Sequence, residues 1–168
     1  MKSTILRFGI YGAICICVLF ILSLSLANNL SYSTREVIGY SAMLISLSFV
    51  FFGIKHFRDK VNEGKVSFGK ALFLGLIISL ITALAFGILD VIYIEYVNPD
   101  FTEEYYTRTI ADLKDSLPTA EFEVKRAEME AQKELFMSPV ANFIIMSLTV
   151  LTIGFIISLL SALILKRK

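Results

Sequence analysis

Charge is scarce in this sequence. Of its 168 residues only 18% are Asp, Glu, Lys or Arg, against about 25% in a typical soluble domain. None of them falls well inside the four long apolar stretches described below, and a proton-coupled path through a membrane would need such a group. Histidine occurs once, at His56, and cysteine twice, at Cys15 and Cys17. That excludes a metal cluster of ordinary His/Cys spacing and leaves no nucleophile with a partner base. The two cysteines sit two positions apart in one apolar run, so on a helix they point in different directions and cannot pair. They read as small apolar helix residues. No glycine-rich loop of the phosphate-binding kind is present. The expectation is a protein that is not an enzyme, with no catalytic, cofactor-binding or metal residues. A net charge of +1 gives no footprint for nucleic acid.

What the chain has in place of charge is apolar length: 56% of residues are hydrophobic and the mean hydropathy is +0.72. Phe8 to Ala27 runs uncharged up to Asn28-Asn29. Val37 to Ile54 is a second such run, stopping at Lys55-His56-Phe57-Arg58. The third begins at Ala71 and continues to Leu89 before meeting Asp90, its helix expected to reach about 94. The fourth follows Ser138-Pro139 and lasts to Leu165, before Lys166-Arg167-Lys168. Each is long enough to span a hydrocarbon core of roughly 30 Å. The predicted fold is all-α and integral to a membrane: one domain over 1–168, a four-helix transmembrane bundle with spans at 8–27, 37–54 (the helix extending to about 62), 71–94 and 139–165, and an outward helical hairpin at 96–137.

Orientation follows from the basic residues, which concentrate on the cytoplasmic side of such proteins. Lys2 and Arg7, five cations in the 55–70 connector, and three at 166–168 share one side with only Asp59 and Glu63. The segment 95–137 has five basic and eleven acidic residues. Both termini and the connector are therefore placed inside, on the cytoplasmic face, with the acidic segment outside. A competing reading takes the first span as a secretory signal peptide cleaved after Ser25-Leu26-Ala27, which would leave three spans. Tyr32, Tyr40, Tyr93 and Tyr96 mark the outer boundary. Asp90 and Glu95, about one turn either side of Tyr93, read as headgroup-level charges with solvated heads.

Small residues are the main adhesive between helices in lipid. Ala71, Gly75, Ser79, Ala83 and Gly87 recur every four residues along the third span, and Gly154, Ser158 and Ala162 form a shorter stripe on the fourth. Gly9, Ala13 and Cys17 do so on the first. These predict the third span as the central packing helix, against the fourth and the first or second; a homodimer through the same stripe is the alternative. The connector carries Lys55, Arg58, Asp59, Lys60, Lys65 and Lys70, with a Lys55–Asp59 pair expected at i,i+4. The helix should stop near Asn62-Glu63-Gly64 and the next start at Ser67 as N-cap. Its cations serve first as a topology signal and could also grip anionic membrane lipids. His56 has no companion ligands.

In the soluble-looking segment, Asn98-Pro99-Asp100 breaks the third helix. Tyr106, Ile110, Leu113 and Leu117 then repeat as an amphipathic stripe, Pro118 makes the turn, and Val124, Ala127, Ala131 and Leu135 are predicted as the packing face of a second helix. Glu121–Lys125 and Arg126–Glu130 are expected as supporting pairs. Glu121, Glu123, Glu128, Glu130 and Glu134 would serve a basic protein partner or a weak cation site, although alternating charges at helical spacing usually mark a solvated face.

The stretches Gly39-Tyr40-Ser41-Ala42-Met43, Phe52-Gly53-Ile54-Lys55, Arg58-Asp59 and Ser67-Phe68-Gly69-Lys70-Ala71, with the Asn98-Pro99 break and the Ser158-to-Lys168 ending, resemble domain-of-unknown-function family 4199, small four-helix membrane proteins of Bacteroidota. The resemblance implies a cytoplasmic-membrane protein of a Gram-negative bacterium. It carries over no catalytic or binding residue. The functional expectation is a non-catalytic membrane component, an accessory subunit or scaffold. The alternative is a small homo-oligomeric transporter or channel, in which Ser79, Thr82, Thr149, Thr152 and Asn142 would line a polar path.

Overall fold

The computed structural model describes residues 1–26 and 32–167. The expected end of the first span at Ala27, the Asn28-Asn29 pair after it and Lys168 lie outside the described residues. Six α-helices follow in order: α1 (Lys2–Leu26), α2 (Tyr32–His56), α3 (Phe68–Ile92), α4 (Phe101–Ser116), α5 (Thr119–Met137) and α6 (Pro139–Leu165). A single π turn extends α2 over Phe57–Val61, and another extends α3 over Tyr93–Val97. Among the described residues there is no strand, only one isolated antiparallel bridge, Val66 with Arg167. Four helical stretches, Lys2–Leu24, Val37–Val61, Phe68–Val97 and Pro139–Leu165, are long and apolar enough to cross a membrane. Helices suit that solvent because each satisfies its own backbone hydrogen bonds.

The chain packs as two compact units, one of 1–86 with 146–168 and one of 87–145. In the first unit, α2 buries Met43, Leu47, Val50, Ile54 and Phe57, a stripe at helical spacing. These meet Leu74 and Ile78 of α3, Ile16 of α1 and Val150 of α6 in one core. The outer faces are apolar too: Ile14, Leu44, Leu148 and Ile164 are all exposed, as lipid-solvated helices would have them. More of α3 is enclosed than of the other three. The packing face of α1 runs through Ile5, Gly9, Gly12 and Ile16, with Ala13 and Cys17 half-buried at its edge. Both cysteines are free thiols.

In the second unit, α4 and α5 form an antiparallel hairpin, closed at its open end by Lys133 donating to Glu103 at 3.3 Å. Tyr106 of α4 and Phe122 of α5 are buried. Burial pushes the pKa of the Tyr106 hydroxyl up, and Tyr105 beside it adds to the effect. The face of α5 differs from expectation. Val124 is 62% exposed, Ala127 and Ala131 are exposed with it, and the less exposed line is Phe122, Met129 and Lys133. The side chains of Leu135 and Glu134 lie outside the described residues. The observed face carries the Phe122 ring, a larger single apolar side chain than Val124 or either alanine. The ion pairs shift as well: Lys125 bonds Glu128 at 2.8 Å and not Glu121, while Arg126–Glu130 forms at 3.0 Å.

Asp90 is the larger correction. Its wet-headed reading fails, since the residue is only 7% exposed, whereas Glu95 is exposed. The helix continues past Asp90 for two more residues and then the π turn, so Asp90 lies within the helix and not at its end.

Candidate functional site

Two places gather the residues singled out by the sequence, and both lie in the first unit. One is the α3–α6 seam. A Cβ placed on Gly75 would sit 2.7 Å from Ser158 Oγ and 2.8 Å from its Cβ, and one on Gly154 would sit 2.5 Å from Ser79 Cβ. Glycine is required at both positions because the facing helix leaves no room for a methyl group. The arrangement is reciprocal: Gly75 faces Ser158 and Gly154 faces Ser79, so the helices cross antiparallel. Each serine bonds its own helix, Ser79 Oγ to Gly75 O at 3.0 Å and Ser158 Oγ to Gly154 O at 2.6 Å, while the two hydroxyls lie 3.4 Å apart. Thr82 likewise donates to Ile78 O at 3.2 Å. Hydroxyls that bond the preceding turn in this way are satisfied without water.

Ala71, Ala83 and Ala162 are buried in the same core. Gly87 is buried too, but in the second unit. Two further close approaches lie outside the small-residue stripes: Gly12, which the sequence does not single out, where a Cβ would meet Thr82 Oγ1 at 2.5 Å, and Gly53 of the family pattern, where it would meet Ile78 Cδ1 at 2.5 Å. A signal for the α3–α6 pairing was available: Gly75-Leu-Ile-Ile-Ser79 and Gly154-Phe-Ile-Ile-Ser158 are nearly the same pentapeptide.

The second place is the α2–α3 connector. After His56 the helix widens into its π turn, which ends with the Asn62 amide donating to Phe57 O at 3.0 Å. Glu63 (φ 52°) and Gly64 (φ 80°) then reverse the chain through two left-handed residues, and the Gly64 amide donates to Arg58 O at 2.7 Å. Asn62 Nδ2 bonds Lys65 O at 2.6 Å, and Lys70 Nζ reaches Asn62 Oδ1 at 3.4 Å while lying 5.1 Å from the centre of the Phe57 ring. Ser67 stands just before α3, its carbonyl accepting from the Ala71 amide at 3.0 Å.

The C-terminal segment is fastened to this turn. Val66 and Arg167 exchange backbone hydrogen bonds of 2.9 Å in both directions, and Arg58 Nη1 donates to Leu165 O at 3.4 Å. Arg58 also holds Asp59 through two bonds, Nε to Oδ1 at 2.6 Å and Nη2 to Oδ2 at 3.2 Å. The expected Lys55–Asp59 pair does not form, because the π turn between them disrupts the i,i+4 stacking of a regular α-helix. Lys55, Lys60 and Lys65 are exposed on the same connector. His56 is half-buried, its ring 5.4 Å from that of Phe8. The part played by Leu165, Lys166 and Arg167 had no signature in the sequence, since both bridge bonds are backbone to backbone.

The family described as "Protein of unknown function (DUF4199)" matches the chain over residues 7–167. No curated protein and no solved structure matches it. With nearly its whole length matched, the chain belongs to the DUF4199 family.

Proposed function

We propose that this DUF4199 member is a non-catalytic, multi-pass component of the cell inner membrane, an accessory subunit or scaffold. Its termini and the 55–70 connector would face the cytoplasm, with the α4–α5 hairpin on the other side available to a protein partner. The reciprocal Gly75–Ser158 and Gly154–Ser79 seam carries this reading. Helices this close leave no polar groove between them, and the serines that a conduit or a catalytic centre would use are committed to their own carbonyls. The excess of cations on one side of the chain supports the orientation.

The test is purification from native membranes in mild detergent through a C-terminal tag, with mass spectrometry of co-purifying chains. A stoichiometric partner, lost when residues 101–137 are replaced by an unrelated hairpin, is the expected result. A partner-free homo-oligomer that moves solute across liposomes would replace this reading with the small transporter. Orientation is read separately, by membrane-impermeant labelling of Lys60→Cys and Glu121→Cys, each in a background with Cys15→Ala and Cys17→Ala.

A further inference from the structure

We propose that the α2–α3 connector and the segment 165–167 fastened beside it together form a binding site for the phosphodiester headgroup of an anionic phospholipid. The inference rests on the four-span reading above. Three pieces of chain meet here, and each is a span end: the second candidate span stops at Val61, the third begins at Phe68 and the fourth stops at Leu165. In a bilayer, that places the group at headgroup depth.

The site's charge is lopsided. Lys55, Arg58, Lys60, Lys65 and Lys70 are joined by Lys166 and Arg167 against only Asp59 and Glu63. Asp59 is already held by two bonds from Arg58, so it does little to neutralise the others. Lys60, Lys65, Lys166 and Arg167 are exposed; Lys60 feels the charge of Asp59, and none of the four is in a salt bridge among the described residues. Each piece of backbone beneath them is fixed. The Val66–Arg167 bridge holds the tail beside the turn, so that Lys65 and Lys166, both exposed, each stand one residue from a bridged position. Val66, Phe57 and Leu165 are buried as an apolar floor. A headgroup arriving here orders only the ends of lysine and arginine side chains, which is the advantage of a preorganised site. Basic clusters of this kind between span ends recognise anionic lipid heads.

The bridge uses backbone atoms alone, so the side chains can be changed without cutting it. The experiment titrates the purified full chain in detergent with phosphatidylglycerol, or with phosphatidylcholine of the same acyl chains, and counts bound lipid by native mass spectrometry. Wild type should retain phosphatidylglycerol in preference to phosphatidylcholine. At about fivefold in affinity per surface cation, Lys65→Gln with Lys166→Gln should weaken phosphatidylglycerol binding roughly 25-fold. The charge-matched control Arg108→Gln with Lys114→Gln, on exposed positions of α4, should leave it unchanged.

Equal retention of both lipids, or equal loss in the control, overturns the proposal. So does full competition by millimolar inorganic phosphate, which would make the site one for free anions. Alkaline carbonate extraction of native membranes separates the two readings. Release of the protein sinks the four-span reading, while an extraction-resistant protein without the lipid preference sinks only this one.

Discussion

The second and third helices end by the same backbone device and are then held very differently. The Asn62 amide closes one π turn on Phe57 O at 3.0 Å, and the Asn98 amide closes the other on Tyr93 O at 2.9 Å. Beyond Asn62 the chain is fixed by side chains and by a distant segment: Asn62 to Lys65, Lys70 to Asn62, Arg58 to Leu165, and Val66 to Arg167. Beyond Asn98 the chain turns through Pro99 and Asp100 into α4, with the Phe101 amide on Asn98 O at 3.1 Å and an edge-to-face contact of Tyr93 with Phe101. Asp100 at the start of α4 makes no side-chain cap. A π turn is therefore only a way of leaving a helix. What reaches it afterwards decides whether the exit becomes a fixed platform or a joint.

The largest effect should come from the helix that runs between the two turns. Gly75→Leu forces a side chain into Ser158 and Val50, and overpacking of this kind costs about 3 kcal/mol. Thermal unfolding in mild detergent should show a large loss, with both exits disturbed together. Gly69→Ala, on the same helix with open space around it, is the control and should be neutral or slightly stabilising. A tolerated Gly75→Leu would mean that the seam is not what holds α3.

Gly64→Val attacks the platform alone. A branched side chain at φ 80° costs on the order of 1–3 kcal/mol, and amide exchange should speed up at Val66 and Arg167 before it does around Asn98. Next come the paired substitutions Asn62→Ala and Asn98→Ala. The first removes two side-chain bonds, and at about 1 kcal/mol each it should lower stability measurably more than the second. Equal effects would erase the distinction between platform and joint. Smallest is Lys133→Ala in the hairpin: that pair is exposed on both sides, and such pairs contribute roughly 0–1 kcal/mol, so a shift near the limit of detection is expected.

Much of the architecture was legible because lipid-solvated helices are written in composition. Uncharged runs of span length, and small residues every fourth position, need no tertiary information to be read. Pairing is another matter. The Gly75 and Gly154 stripes were visible singly, but which helix each one faces depends on three-dimensional crossing. The tail at Leu165–Arg167 was invisible at the connector because Arg58 and Leu165 are 107 residues apart and the bridge beside them names no side chain. Asp90 misled because an acid near aromatic residues at a span's end reads the same whether wet or buried, until the helix is seen to run on past it. Val124 misled because period alone cannot choose between two stripes when one of them holds the larger ring.

The two serines of the seam are separated by 79 residues of chain, and this sets an order of events at the ribosome. Synthesis at about 5–20 residues per second puts roughly 4 to 16 seconds between the appearance of Ser79 and that of Ser158. Throughout that interval the Gly75–Ser79 groove has no α6 to fill it. The seam is thus completed only when α6 follows α3, and any nascent chain stalled before Gly154 presents an open glycine groove to whatever else is inserting nearby.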